Sequence, residues 1–374
     1  MLKLATVFSG IGAIEFALKR MNIDYEVEFA CDNGERDVLI DYQNEMQAVQ
    51  LLKSPKDKMN YVNDLYSKLT KCKNYMEEEY KANYQIKDDL FFQDVCLLDG
   101  RDFKNKIDLF VGGSPCQSFS SVGFQGGLED TRGTLFYEFA RLVKEIQPKV
   151  FIYENVRNLL KHDKGKTWSI IKNVFDELGY DYKYDVLNAS DYGIPQTRRR
   201  LFVVGFRKDL NIDFEFPPKT KPLNKTMKDF TINYCDEGYM SYDSNGEIVL
   251  KKKKGIPDDK YTLSLKLYNY VMKTGTKTWS QKVEINLDIA RTLLKTMGNR
   301  HRAGVDNYVS FDGTENQGSV RMLTEREAHR LMGFTDDFKI VVSRAQAYKQ
   351  AGNSIVVDVL IEILKLIFET NVFN

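Results

Sequence analysis

A single cysteine, Cys116, lies in the stretch GGSPCQSFS (residues 112–120), behind a proline and amid glycines and serines. A buried structural thiol usually has apolar neighbours, so this polar, flexible setting points to chemistry. Two further clusters carry reactive residue types. Glu154 and Asn155 fall in YENVRNLL (153–160), and Gln196, Arg198 and Arg200 fall in GIPQTRRRLFVVGF (193–206). A thiolate, a carboxyl and two guanidiniums suit attack on an electron-poor ring. A thiol furnishes appreciable thiolate near neutral pH and leaves easily afterwards. On its own, a glutamate at a strand end is more often a salt-bridge partner.

The elements around these clusters bring them to one place. KIDLFVGG, just before Cys116, reads as a short buried strand, so the thiol emerges at a strand's carboxyl end, where open α/β sheets place ligands. LKLATVF, YEVEFAC, KVFIYENV and LFVVGFR read as further strands, and AIEFALKRM, GTLFYEFARLVKEI and TWSIIKNVFDELG as helices. This alternation predicts βαβ units and a mixed, mostly parallel sheet with helices on both faces. Glu154 and Asn155 then end one strand while Gln196, Arg198 and Arg200 precede another, at the same edge as Cys116. Residues 41–90, rich in Lys, Glu, Tyr and Asn, read as a helical insertion presenting a solvated face. From about 208 to 318 the texture becomes irregular, with a proline-rich FPPKTKPL and a KKKKG run, and predicts a smaller inserted domain. Helical patterns resume in TEREAHRLMGF and SIVVDVLIEILKLIFET, so 1–207 and 319–374 form the larger unit.

Bulk properties narrow the function classes. The chain has 374 residues and a net charge of +1, so nucleic-acid binding must rest on local surfaces. Within 206–318, 19 lysines and arginines stand against 15 acids, consistent with a local phosphate-binding surface. Five cysteines without a C-x-x-C pair, and only three histidines, argue against a disulfide scaffold or a metal site. No signal peptide and no long apolar run is evident, which predicts a cytoplasmic protein in a reducing compartment.

FSGIGAIE (8–15) follows the first strand and opens the first helix, letting the backbone approach a ligand closely. A dinucleotide fingerprint requires glycine where this chain has Glu15, and a pyrophosphate there would face added negative charge. A cofactor without phosphates is preferred. Asp32, ending the second strand, suits ribose hydroxyls, and Asp94, in FFQDVC, suits an adenine amino group. Either acid could instead be a turn or helix cap.

The order FSGIG, SPCQSFS, ENV, QTRRR, RMLTEREAHRLMGF and YKQAGNSIVVDV resembles the DNA (cytosine-5) methyltransferase family of bacterial and phage modification enzymes. The motifs cover both ends and the centre, leaving 41–90 and 208–318 unmatched. The resemblance implies a Rossmann-like S-adenosylmethionine-dependent methyltransferase fold with a target-recognition domain at 208–318. It implies Cys116 as the nucleophile toward cytosine C6, Glu154 at N3 and Arg200 at O2. Arg198 and Gln196 would brace and order that pocket, and Asn155 would hold neighbouring backbone. S-adenosylmethionine would be cradled by Phe8, Gly10, Ile11, Gly12 and Pro115, with Asp32 on ribose, Asp94 on adenine, and Asn353 and Ser354 at the methionine end. Ala13 stands where many relatives have another glycine.

The target base must leave the duplex to reach Cys116. Residues 118–138 are the expected mobile loop, with Ser120 and Ser121 toward phosphates and Phe124 and Gln125 probing the vacated stack. Arg300, His301, Arg302 and Asn307 are candidates for contacts to bases or phosphates. The expected partner is double-stranded DNA met by a monomer, with any cognate restriction endonuclease acting separately. Two alternatives carry weight: cytosine-C5 methylation of transfer RNA, and a non-catalytic DNA-binding homologue. The retention of Cys116 and Glu154 disfavours the second.

Overall fold

The computed structural model describes residues 1–115, 135–219, 222–231, 239–251, 257–272 and 283–374. Apolar β-rich runs and helical patterns alternate in the first half as expected. The elements are β1 (Leu2–Val7), α1 (Ala13–Arg20), β2 (Tyr25–Cys31), α2 (Tyr42–Gln50), α3 (Pro55–Leu69), α4 (Tyr75–Asn83) and β3 (Phe91–Phe92). They continue as β4 (Leu109–Gly112), α5 (Leu135–Ile146), β5 (Val150–Val156), α6 (Lys166–Glu177), β6 (Tyr180–Asn188) and β7 (Arg199–Arg207).

These strands form one seven-stranded sheet in the order β3-β2-β1-β4-β5-β7-β6. The first five positions pair in parallel, while β7 runs antiparallel to both β5 and β6. Neighbouring residues on each strand feed opposite cores, as a sheet covered on both faces requires. Leu4, Val111 and Ile152 enter one core; Ala5, Phe110 and Phe151 enter the other. Chain order reverses between β1 and β4, which opens a crevice at the carboxyl ends of the strands.

The later part of the chain contains α7 (Met227–Phe230), β8 (Met240–Tyr242), β9 (Ile248–Leu250), α8 (Leu265–Met272), β10 (Tyr308–Ser310) and β11 (Val320–Met322). It ends in α9 (Glu325–Arg330), α10 (Arg344–Asn353) and α11 (Val357–Glu369). Val271 of α8, Tyr308 of β10 and Val320 of β11 build a separate small core with Leu263, Val283 and Ile285 from the connecting segments. The β8–β9 hairpin instead packs on the main core through Met240 and Ile248. Arg20 staples this arrangement: its buried guanidinium pairs with Asp358 on α11 and donates to the carbonyls of Gly246 and Gly333. The T-E-R-E sequence at 324–327 forms a reciprocal capping box, Thr324 with Glu327, that starts α9.

The strand end expected at FFQDVC is the two-residue β3, whereas β6 and the three-residue strands β8 to β11 escaped the sequence reading. β6 is a charged edge strand, YDYKYDVLN, and the others are too short for any periodicity. The 41–90 stretch is helical as expected, with Asp41, Ser54 and Asn74 capping its helices. It is not merely a solvated face. Val49, Val62 and Tyr66 pack with Leu97 in a core of their own, and Met76, Tyr80 and Tyr84 join the main core.

Candidate active site

A cavity of about 650 Å³ opens at the carboxyl ends of β1, β2, β4 and β5. Its lining brings together residues from most of the motifs: Phe8, Gly10, Asp32, Asp94, Pro115, Glu154, Asn155, Arg198, Arg200 and Asn353. A smaller hollow beside it is lined by Phe8, Gly10, Ile11, Gly113, Glu154, Asn353 and Ser354.

One half of the cavity is built around Asp32 and Asp94. After β1 the chain turns tightly, with positive φ at Phe8 and Gly10 and again at Gly12, which caps α1 at φ 77°. A side chain at Gly12 would also strike the Tyr84 ring, whose carbons lie 2.2 Å from an added Cβ. The Tyr84 hydroxyl donates to the Gly12 carbonyl at 2.8 Å, fixing the turn from α4's C-terminal side. Asp32 accepts from the backbone N–H of Gly10 (2.9 Å) and of Gly34 (2.8 Å). Asp94 accepts from the N–H of Cys96 (2.9 Å) and the hydroxyl of Tyr66 (2.7 Å). Burial raises the pKa of both acids, and these donors oppose the rise by favouring the ionised form. The cap and pocket readings therefore coincide: each acid holds a turn and lines the cavity.

Glu15 corrects the charge argument made from the sequence. Its carboxyl is fully buried and turned inward, accepting from Tyr80 (2.5 Å) and Thr6 (3.2 Å), and burial lifts its pKa to about 7. It lines neither hollow, so no negative charge from it meets a ligand.

The other half of the cavity lies between β4, β5 and β7. Glu154, near the end of β5, pairs with the Nε of Arg200 at 3.1 Å. Burial raises its pKa against the pull of Arg200 and Arg198. Gly113 is where it is because of this carboxyl: an added Cβ would sit 2.9 Å from the Glu154 side-chain oxygen. Asn155 is buried and donates to the Ser114 carbonyl (2.9 Å) and the Tyr153 hydroxyl (2.8 Å), which also bonds Ser114 Oγ at 2.7 Å. The backbone two residues before Cys116 is thereby clamped to β5. Cys116 itself, with Ser120, Ser121, Phe124 and Gln125, lies outside the described residues.

The QTRRR segment divides its labour. Gln196, expected in the reacting pocket, does not line the cavity. It is fully buried, donating to the Leu331 carbonyl (2.7 Å) and accepting from the Leu293 N–H (3.0 Å). Arg198 reaches the cavity wall, but its terminal nitrogens donate to the carbonyls of Leu293, Gly352 and Ser354 at 2.8–2.9 Å. Burial and the neighbouring Arg200 push its pKa down to about 9. These two residues join the sheet to the 208–318 region and to the turn carrying Asn353 and Ser354. Arg200 is the arginine of the segment that meets Glu154 as an ion pair. Asn353 lines the cavity, its amide donating to Glu35 at 2.8 Å, while Ser354 is nearly buried.

Of the residues expected to read DNA, Arg300 is exposed. His301 stacks on Tyr308, and Arg302 is engaged by Thr296 (2.6 Å) and Asp306. Asn307 is a correction. It is 4% exposed, and both ends of its amide are spent on the backbone of Arg291, at 2.8 and 3.0 Å. The sequence reading also missed Tyr42 and Met76 in the cavity wall and Tyr66 behind it. Their signal was a tyrosine-rich stretch between two candidate acids, outweighed by its charge.

Sheet order, two-sided helices and a crevice at the β1/β4 switch define a Rossmann-like methyltransferase fold. Solved structures agree: Dnmt2 methyltransferase from S. pombe superposes with a TM-score of 0.64 at 16% identity, covering 99% of both chains. The methyltransferase EhMeth of Entamoeba histolytica superposes with a TM-score of 0.60 at 14% identity, covering 99% of this chain and 98% of its own. Residues 67–369 match the model of the C-5 cytosine-specific DNA methylase family. The chain is 36% identical over 323 residues to type II methyltransferase M.SsoII of Shigella sonnei, covering 83% of this chain and 75% of that one. It is 36% identical over 287 residues to M.HhaI of Haemophilus parahaemolyticus, covering 76% and 82%. With the orphan methyltransferase M.SPRI of Bacillus phage SPR it shares 26% identity across 99% of this chain and 98% of that protein. The chain belongs to the C-5 cytosine-specific DNA methylase family, whose members use S-adenosylmethionine, and it is a DNA (cytosine-5)-methyltransferase. Among the described residues no acid, cysteine and histidine cluster could hold a metal, and no helix is long and apolar enough to cross a membrane.

Proposed function

We propose that the enzyme methylates a cytosine flipped out of a specific double-stranded DNA sequence, through a covalent bond between Cys116 and C6. The Cys116 thiolate adds to C6, and charge builds on the ring toward N3. Glu154, its carboxyl inclined by burial to hold a proton, donates to N3. Arg200 binds O2, and its ion pair with Glu154 keeps the two groups side by side. C5, now enamine-like, takes the methyl group; its proton then passes to water acting as base, the C6–S bond breaks to release the thiolate, and N3 returns its proton to Glu154, which restores the ring. When bound, S-adenosylmethionine supplies an electrophilic methyl group and leaves as S-adenosylhomocysteine, without a metal.

The Gly10–Gly12 turn, Asp32 and Asp94 fit that donor. Gly12 lines neither hollow but keeps the turn in place, since a Cβ there would strike Tyr84, while Gly10 and the two carboxyls line the cavity where a nucleoside would lie. Asn353 and Ser354 would hold the amino-acid end. The observation that carries the reading is that one cavity is lined by both pairs, Asp32 with Asp94 and Glu154 with Arg200. The clamped backbone at Ser114 supports a fixed starting point for Cys116. Region 208–318 is proposed to recognise the target, with Arg300, His301 and Arg302 toward DNA. Acting as a monomer in the cytoplasm, the enzyme resembles type II methyltransferases, so a cognate nuclease would act separately.

Duplex oligonucleotides carrying 5-fluorocytosine test the covalent step, because the fluorine cannot be lost as a proton and the adduct persists. The site sequence is first found by bisulfite sequencing of DNA from cells expressing the chain. Mass spectrometry is expected to find the base on Cys116. Tight binding of a verified target with no linkage there overturns the mechanism. The Cys116→Ala variant should still bind DNA and transfer no label.

A further inference from the structure

The segment between the two nucleoside-facing acids does more than fill space. Tyr66 on α3 is 2% exposed, and its hydroxyl donates to Asp94 Oδ2 at 2.7 Å while the Cys96 N–H occupies Oδ1. A phenylalanine would fill the same apolar seat formed by Val49, Val62 and Leu97, so packing alone does not call for the hydroxyl. The Arg36 guanidinium lies over the Tyr66 ring, 4.9 Å from its centre. Arg36 belongs to the loop after Asp32, donates to the Asn33 carbonyl at 2.8 Å and also binds Gln93. Asn74 closes the circuit: its amide donates to the Asp32 carbonyl (2.7 Å) and to Gln93 Oε1 (2.8 Å). A continuous set of contacts therefore runs from one acid to the other, with Arg36, Tyr66, Asn74 and Gln93 behind the cavity wall.

We propose that Tyr66 is a positioning residue that sets the selectivity of the Asp94 carboxyl for the exocyclic amine of adenine. The proposal rests on the assignment of Asp94 to the adenine made above. The Cys96 N–H holds Oδ1 and the Tyr66 hydroxyl holds Oδ2 from behind the wall, while Tyr42 on the wall also bonds the group, so the Tyr66 bond is the one that turns the carboxylate's remaining lone pairs toward the cavity. Without the hydroxyl, the buried carboxyl is freer to turn and to take up a proton, and a protonated carboxyl donates where an amine needs an acceptor. Arg36, by stacking on the ring and holding the Asp32 loop, keeps the two acids at a constant spacing.

The readout is a preference ratio measured on the full chain by calorimetry. Affinities are compared for S-adenosylhomocysteine and for S-inosylhomocysteine, whose 6-oxo group replaces the amine. Tyr66→Phe should cut the preference for the adenosyl ligand about tenfold, the scale of one hydrogen bond to a charged group. Arg36→Gln, which leaves the small core intact, should reduce it in the same direction. An unchanged ratio in both variants overturns the proposal, since a merely structural loss weakens both ligands alike. Asp94→Asn distinguishes the deeper failure: if that variant keeps the preference, the assignment of Asp94 to adenine is what is wrong.

Discussion

The two halves of the cavity hold their carboxyl groups in different ways. Asp94 is buried and Asp32 half-buried, yet each receives two directed hydrogen bonds that favour the ionised form. Glu154 is half-buried with no backbone N–H directed at it among the described residues; its ion-pair partner is the side chain of Arg200. Fixed neutral donors suit a group that must remain an acceptor. A side-chain cation in place of fixed backbone donors suits a group that must gain and lose a proton during a reaction. On the proposed roles, the same residue chemistry would serve binding on one side and proton transfer on the other, and the difference lies in who the donors are.

Substitution of Glu154 should give the largest effect and the clearest break between the halves. Glu154→Gln keeps shape but removes the transferable proton, and kcat should fall about 10²–10⁴-fold while affinity for S-adenosylhomocysteine stays within about twofold. Single-turnover kinetics with matched calorimetry would check this; an equal loss of affinity would merge the two halves into one. Asp32→Asn should behave as the mirror image. It turns one acceptor oxygen into a donor facing the Gly10 or Gly34 N–H, so affinity for the same ligand should drop roughly tenfold to a hundredfold with a smaller effect on kcat at saturation.

The subtlest expectation concerns pH. The Glu154 pKa is raised by burial, so its protonated form persists above the ordinary carboxyl range, and the rate should fall as pH rises through the raised value. Arg200 opposes that rise. Arg200→Met should therefore lower the rate yet move the descending limb of its pH profile to higher pH. A shift to lower pH would mean that another group sets the limb.

A second contrast lies within one short motif. Gln196, Arg198 and Arg200 alternate along the strand entry, and the sequence presents them as equals. The structure spends Gln196 and Arg198 on carbonyls and N–H groups of Leu293, Leu331, Gly352 and Ser354, joining three distant parts of the chain. Stripping such buried backbone groups of a partner costs about 1–3 kcal/mol each, which explains polar residues at 0% and 3% exposure. Arg200, at the rim, is left for the ion pair with Glu154. Sequence spacing cannot make this distinction, because it depends on carbonyls supplied by residues about a hundred or more positions away.

What the sequence determined by itself was local: strands and helices with strong apolar patterns, the tight turn at Gly10–Gly12, and acids placed at strand ends. Each follows from periodicity or backbone sterics over a few residues, and so did the common sheet edge for Glu154, Arg200, Asp32 and Asp94. Edge strand β6 and the buried duty of Asn307 left no such pattern. Only the tertiary structure turned Glu15 inward and made the charged 41–90 stretch the back wall of the cavity. Burial and hydrogen-bond partners are supplied by other segments, and a residue's own neighbours in sequence do not encode which of them will arrive.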